Sequence, residues 1–376
     1  MKNVFEKLKI IYLLLPLILL MVAVYYPFAA NIFVSNTELL DNRVLSPKPV
    51  KFSSTFSRDF EQYYNDTFAG RKKLIVKYVK LKQKLKIDTG QYFYGKDGWM
   101  FYDSAKVNNG NTVLDYLGTA VWDNEELNQL TEALEKEQAF YEKYGAKYLL
   151  MVVPNKENVY AEYMPERLQK IRKSDSSLSD IGIKYLQNNT HIEILDLKPI
   201  LLAAKTKCPY NIYYKKDTHW NALGAYIAFE SLLKSFNKLG IDGSAKPLLS
   251  EMITSAGLVG QDMHPTDKDM SYHVVFLDDR SFEKKEVIPN KVIVYENQNP
   301  VVDKAILIVG DSFAGEIIPY MAKVYRRVIN VPAGIKDLSF YQEIVTEYKP
   351  DLVVHELVER YFSRLSNLGK LYESKK

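Results

Sequence analysis

The sequence predicts an α/β domain built on a mostly parallel β-sheet with helices on both faces. From about residue 119 onward, short apolar runs alternate with longer stretches of helical periodicity. A helix follows or joins each run, and strands separated by helices imply a parallel sheet covered on both sides. In such sheets the chemistry sits where the carboxyl ends of the strands open.

Taken in order, a helix is expected from Asp123 to Tyr144, capped by Asp123 or Asn124, and it leads into a strand over Tyr148–Val153 that ends at Pro154-Asn155-Lys156. A helix around Leu178–Gln187 precedes a strand over Ile192–Leu195 with Asp196 at its tip. A short helix, a loop carrying Asp217 to Trp220, and a long amphipathic helix from Ala222 to Leu239 come next. The later strands are Ala305–Val309, Arg327–Val331 and Leu352–His355. These elements define a catalytic domain over residues 119–376.

The chain ahead of it has another character. Residues 10–34 are almost uninterruptedly apolar, long enough to cross a hydrocarbon core of ~30 Å as a helix. Lys2, Lys7 and Lys9 precede them, so positive-inside logic places residues 1–9 in the cytoplasm and everything after the span outside. A cleaved signal peptide is the alternative, but Tyr25 to Ala30 puts bulky residues or proline where a small residue is needed before the cut. Residues 35–118 read as a juxtamembrane linker and small subdomain. Within it, Asn42 to Pro49 is extended and proline-marked, Phe56, Phe60, Tyr63 and Tyr64 recur at helical spacing, and Leu74, Ile75, Tyr78, Leu81 and Leu85 form one stripe of a helix over Arg71–Leu85. Tyr92–Tyr102 reads as a hairpin with its turn at Asp97-Gly98.

A net charge of +4 over 376 residues, with no extended Lys/Arg cluster, argues against nucleic acid as the partner. The 47% hydrophobic content suits a sizeable core. Cys208 is the only cysteine, which excludes an intramolecular disulfide and leaves the redox compartment open.

Two short motifs carry the chemistry. Ser312, in Gly310-Asp311-Ser312-Phe313, follows an apolar strand and precedes a helix, where backbone N–H groups face a developing oxyanion at ~3 kcal/mol per well-placed donor. As structure alone, the same pair is an ordinary helix cap. About ninety residues earlier, Asp217-Thr218-His219-Trp220-Asn221 places a carboxylate beside an imidazole. A serine hydroxyl needs a base to take its proton, and histidine, with an unperturbed pKa of ~6.5, is suited to that. Asp217 then orients the ring. A metal site with His264 or His273 is the competing reading, but no ligand spacing supports it. Trp220 either stacks on sugar, shields the histidine, or is a core residue at a helix start.

These residues resemble a family. Gly310-Asp311-Ser312-Phe313 is similar to the first block of SGNH hydrolases, and Asp217-Thr218-His219-Trp220 to the Asp-His block of the alginate O-acetylation proteins of the AlgJ and AlgX type and their DHHW relatives. Asn42-Arg43 to Pro49, Val153 to Glu157 with Tyr160 and Pro165, and His355 to Phe362 match further family segments in order. The Asp-His block precedes the serine, as in the circularly permuted members. That order disfavours the lipoteichoic-acid D-alanylation protein DltD.

The resemblance implies a circularly permuted SGNH-like fold with Ser312 as nucleophile, His219 as base and Asp217 as orienter. It also implies an extracytoplasmic O-acetyltransferase that modifies a cell-surface polysaccharide or secondary wall polymer without a bound cofactor. Because acetyl-CoA is cytoplasmic, a multi-spanning membrane-bound O-acyltransferase is the implied acetyl-donor partner. A carbohydrate O-acetyl esterase and a non-catalytic polysaccharide-binding assembly module are the alternatives. One departure stands out: the SGNH asparagine block is absent after Leu352–His355, where Glu356, Glu359 and Arg360 stand. Gly334 is the candidate for the glycine block. Arg360 either contacts substrate or pairs with Glu356 or Asp351, and Lys156 either faces the cleft or is solvated.

Overall fold

A computed structural model describes residues 14–22, 25, 45–68, 70–85, 87, 90–208, 210–244, 282–289 and 291–372. The chain divides into two compact units at residues 87 and 88.

In the first unit, residues 14–22 and 25 are helical. The rest of the expected span over 10–34 lies outside the described residues, and no helix among those described is long and apolar enough to cross a membrane. Helices α1 (Phe56–Thr67) and α2 (Arg71–Leu85) follow. Four-residue spacing stacks Phe56, Phe60, Tyr64 and Phe68 in a row along α1. Asp66 accepts from the N–H and hydroxyl of Ser46, which ties the proline-marked linker to that helix.

The second unit opens with a hairpin of β1 (Tyr92–Tyr94) and β2 (Met100–Tyr102). Asp97 takes the left-handed conformation at φ 51°, as the Asp-Gly turn requires. Its aromatic residues Phe93, Trp99 and Phe101 are buried in the main core, so residues 90–118 fold with the larger unit. The expected boundary at 118 therefore moves to 88.

Seven strands form the main sheet in the order β4-β3-β9-β7-β8-β6-β5. Five are parallel: β3 (Lys147–Val153), β4 (Glu193–Asp196), β7 (Val302–Gly310), β8 (Tyr325–Pro332) and β9 (Leu352–Val358). All five coincide with expected strands. The additions are β5 (Phe282–Ile288) and β6 (Val292–Asn297), an antiparallel pair joined to the β8 edge.

Alternate residues of each central strand enter different cores. Leu149, Met151 and Val153 pack on one side of the sheet, while Tyr148, Leu150 and Val152 pack on the other. The small helices α3 (Thr112–Leu117), α5 (Lys156–Val159) and α6 (Glu166–Gln169) gather near the strand ends. Helices α4 (Asn124–Lys143) and α7 (Leu178–Asn189) supply residues to the second core, together with α11 (Leu338–Tyr348). Helices α8 (Lys198–Lys207), α9 (Ala222–Lys238) and α10 (Ala314–Val324) line the first. Asp123 starts α4 with a reciprocal capping box to Glu126. Pro319 lies within α10 without ending it.

Candidate active site

The serine turn is built locally and tightly. Gly310 ends β7 where a side chain has no room, since an added Cβ would lie 2.8 Å from both Glu356 Oε2 and Ala314 Cβ. Asp311 then uses both carboxylate oxygens on backbone N–H groups. Its Oδ1 accepts from Phe313 N–H at 2.8 Å, its Oδ2 from Val358 N–H at 2.8 Å, and its own N–H donates to Glu356 Oε2 at 3.0 Å. The turn between β7 and α10 is thus fastened to the end of neighbouring β9. Burial, together with the Asp311 carboxylate close by, pushes the Glu356 carboxyl well above the usual range.

The histidine loop is held from further away. Tyr213 bridges to Trp220, Tyr214 N–H donates to His219 C=O at 3.1 Å, and Asn221 caps α9 by accepting from Leu223 and Gly224 N–H. Inside this closed loop, Asp217 Oδ1 accepts from the His219 N–H at 2.8 Å and lies 2.6 Å from Nδ1. His219 Nε2 is 2.7 Å from Ser312 Oγ. The three groups therefore converge at the open strand ends, with the imidazole resting on the Phe313 ring at 4.6 Å between centroids. Burial works to raise the Asp217 carboxyl. The hydrogen bonds from His219, with the nearby His219 and Lys156 charges, outweigh it and hold the carboxyl down at about 2. Asp217 is therefore ionised at neutral pH, which fixes the proton on Nδ1 and leaves Nε2 as the acceptor facing the serine.

Other expected site residues fall differently. Trp220 has no exposed surface, and its indole N–H donates to Phe313 C=O at 3.1 Å; it supports the site from below and offers no face to a sugar. Lys156 is 1% exposed and neither lines a cleft nor reaches solvent. Its ammonium donates to the carbonyls of Tyr214, Lys215 and Asp217 at 3.2, 3.4 and 2.5 Å and lies over the Trp99 and Phe101 rings. It clamps the loop that presents Asp217.

Gly334, at φ +90°, follows β8 and lines a groove with Lys336 and Arg364. Ala333 N–H donates to Gly310 C=O at 2.8 Å, which places this segment beside the serine turn. Arg360 makes no ion pair with Glu356 or Asp351, and Lys304 holds Asp351 at 2.7 Å. His264 and His273 lie outside the described residues. Among the described ones, no group of three or more His, Cys, Asp and Glu side chains is arranged to hold a metal.

A buried polar network beneath the site had no signal in the sequence. Glu359 accepts from Asn155 N–H, Asn158 Nδ2 and Ser179 Oγ, while Glu157 accepts from Tyr102 N–H and so ties the hairpin to the end of β3. Asp115 accepts from Asn155 Nδ2, and burial plus the nearby Glu359 charge push its carboxyl up to about 8.

Three solved structures are similar to the chain at low identity. Bacillus cereus PatB1 with a sulfonyl adduct is 15% identical, with 77% of this chain and 100% of that one covered at a TM-score of 0.50. The O-acetyltransferase domain of Pseudomonas putida AlgJ is 15% identical, with 76% and 99% covered and a TM-score of 0.44. A DHHW family protein from Eubacterium siraeum is 14% identical, with 76% and 96% covered and a TM-score of 0.46. No curated protein matches the sequence. Residues 93–316 match the family described as SGNH hydrolase-like domain, acetyltransferase AlgX. That stretch exceeds half of the chain and runs from the hairpin through the histidine loop to the serine turn, and the protein belongs to this family.

Proposed function

We propose that this protein is an O-acetyltransferase that moves an acetyl group through Ser312 to hydroxyls of a cell-surface polysaccharide or secondary wall polymer. The observation that carries the reading is the unbroken line of short contacts from Asp217 through His219 to Ser312 Oγ, within a family of acetyltransferase domains.

In the first half-reaction His219 Nε2 takes the Ser312 proton as Oγ attacks the donor carbonyl. The tetrahedral oxyanion collapses, and the imidazolium returns its proton to the leaving group. In the second, Nε2 deprotonates a sugar hydroxyl as it attacks the acetyl-serine carbonyl; the tetrahedral adduct then breaks its bond to Ser312 Oγ, which takes the proton back from the imidazolium, and the acetylated polymer leaves. Asp217, ionised throughout, stabilises the imidazolium in both.

Residues 10–34 are proposed to anchor the chain, with the catalytic unit outside the cytoplasmic membrane. Acetyl groups would reach it from a multi-spanning membrane-bound O-acyltransferase. The apolar run and the lysines ahead of it support that orientation.

The test is transfer from an activated acetyl ester to an oligosaccharide, with mass spectrometry of Ser312. S312A is expected to abolish both labelling and transfer, and unimpaired transfer by S312A refutes the assignment. Acetate release that is unchanged by added oligosaccharide would show water, not sugar, to be the acceptor.

A further inference from the structure

The departure from the SGNH pattern after β9 leaves a question of chemistry. Ser312 N–H is one oxyanion donor, makes no hydrogen bond among the described residues, and works best with a partner. β9 lies beside β7 on the side away from β8, so the residues that follow it flank the serine turn. The Val358 N–H bond to Asp311 Oδ2 joins the strand end to that turn directly.

Arg360 comes two residues later. It is only 6% exposed, and its guanidinium lies over the rings of Phe313 at 5.6 Å, Tyr102 at 5.5 Å and Tyr361 at 5.0 Å. Phe313 is the residue next to the nucleophile, and its ring also carries His219. The backbone of Arg360 is fixed as well, because Gly110, at φ +85°, packs so closely that a Cβ there would come 2.3 Å from Arg360 O.

Despite this placement the guanidinium makes no hydrogen bond or ion pair with a described residue, and Nε and Nη1 are buried without a partner. Taking a cation out of water costs several kcal/mol unless its donors are satisfied, and cation–π contacts, each returning about 2 kcal/mol or more when desolvated, offset part of that cost without giving an N–H donor an acceptor. A rigid, buried arginine with idle donors beside a nucleophile is suited to an oxygen that arrives with the substrate. Its charge is felt on both sides of the site: burial raises the Asp311 carboxyl, with Arg360 and His219 working against that rise, and burial raises the Tyr92 hydroxyl, with Asp217 adding to the rise and Arg360 opposing it.

We propose that Arg360 is the side-chain donor of the oxyanion hole, standing where SGNH enzymes place asparagine and acting with the Ser312 N–H. As Oγ bonds to the carbonyl carbon, the C=O π electrons move onto oxygen and the serine proton passes to His219. The guanidinium donates to that oxygen until the double bond reforms, the leaving alkoxide departs and His219 returns the proton to it. This inference rests on the acyl-transfer reading of Ser312. It also lies outside the sequence stretch that establishes the family, which ends at residue 316.

The test uses the full chain and 4-nitrophenyl acetate, following 4-nitrophenolate release and acetylation of Ser312. R360M is expected to lower kcat by about 10²–10³-fold with little change in KM. R360Q is expected to recover part of the loss, because an amide N–H still donates, a preference that packing alone does not produce. Wild-type kcat in R360M, equal loss in R360M and R360Q, or a loss confined to KM each overturns the proposal. If R360M does not fold, R360A, which also lacks a donor, takes its place, and wild-type kcat in a folded R360A overturns the proposal equally. Failure of the wild-type protein to acetylate Ser312 would instead sink the acyl-transfer reading, so the two failures are distinguishable.

Discussion

The serine turn and the histidine loop solve the same problem by different means. In the turn, Gly310, Asp311 and Phe313 hold one another through near neighbours in sequence, with Glu356 and Val358 of the adjacent strand, Ala333 and Trp220 as distant partners. In the loop, the position of Asp217 depends on an ammonium about sixty residues away, itself bedded on two rings of the hairpin. Local construction gives rigidity that few substitutions reach. Remote construction spreads the same requirement over three segments.

The contrast is open to attack at several points. The largest effect is expected from G310A, whose methyl must displace Glu356 or Ala314; a stability loss of about 1–3 kcal/mol is expected in thermal melts, together with near-complete loss of Ser312 acetylation. K156M comes next. It retains bulk but removes the clamp, and kcat for acetyl transfer should fall by about 10²-fold, as misplacement of a catalytic group by ~1 Å does. A fully active K156M would show that the loop holds Asp217 unaided.

W220F removes a single buried hydrogen bond to Phe313 C=O and is expected to cost about 1 kcal/mol in denaturant unfolding. D115N differs in that its effect depends on pH. The unfolded aspartate loses its proton near pH ~4, whereas the folded one keeps it to about 8, so unfolding releases a proton between those values and stability falls as pH rises through them. D115N should therefore match the wild-type Tm below pH ~4 and exceed it increasingly up to about pH 8, by ~2–4 °C per kcal/mol relieved. A Tm difference that does not vary with pH would rule out this carboxyl as the cause.

The same contrast governs what the sequence revealed. Strands β3, β7 and β9 were legible because each is a short apolar run buried on both faces, and the cap at Asp123 because its partner stands three residues away. The meeting of residues 217, 219 and 312 was legible as three chemical groups in a familiar order. β5 was not, since Phe-Glu-Lys-Lys-Glu-Val-Ile shows no buried face and the strand forms only by pairing with β6. The role of Lys156 was hidden for a related reason: its acceptors are backbone carbonyls, which carry no residue identity. Trp220 stayed open between a sugar platform, a shield and a core residue, because an aromatic side chain beside a reactive histidine looks alike in sequence whether it faces water or the core; the core reading is the one its burial supports.

The charged outer strand has a consequence of its own. β5 ends the sheet with Glu283, Lys284, Lys285 and Glu286 all exposed, and the opposite border, β4, is only four residues long. Unpaired strand borders invite other chains to add on, and mixed charge or brevity discourages it. Copies of the catalytic unit would thus be discouraged from joining border to border.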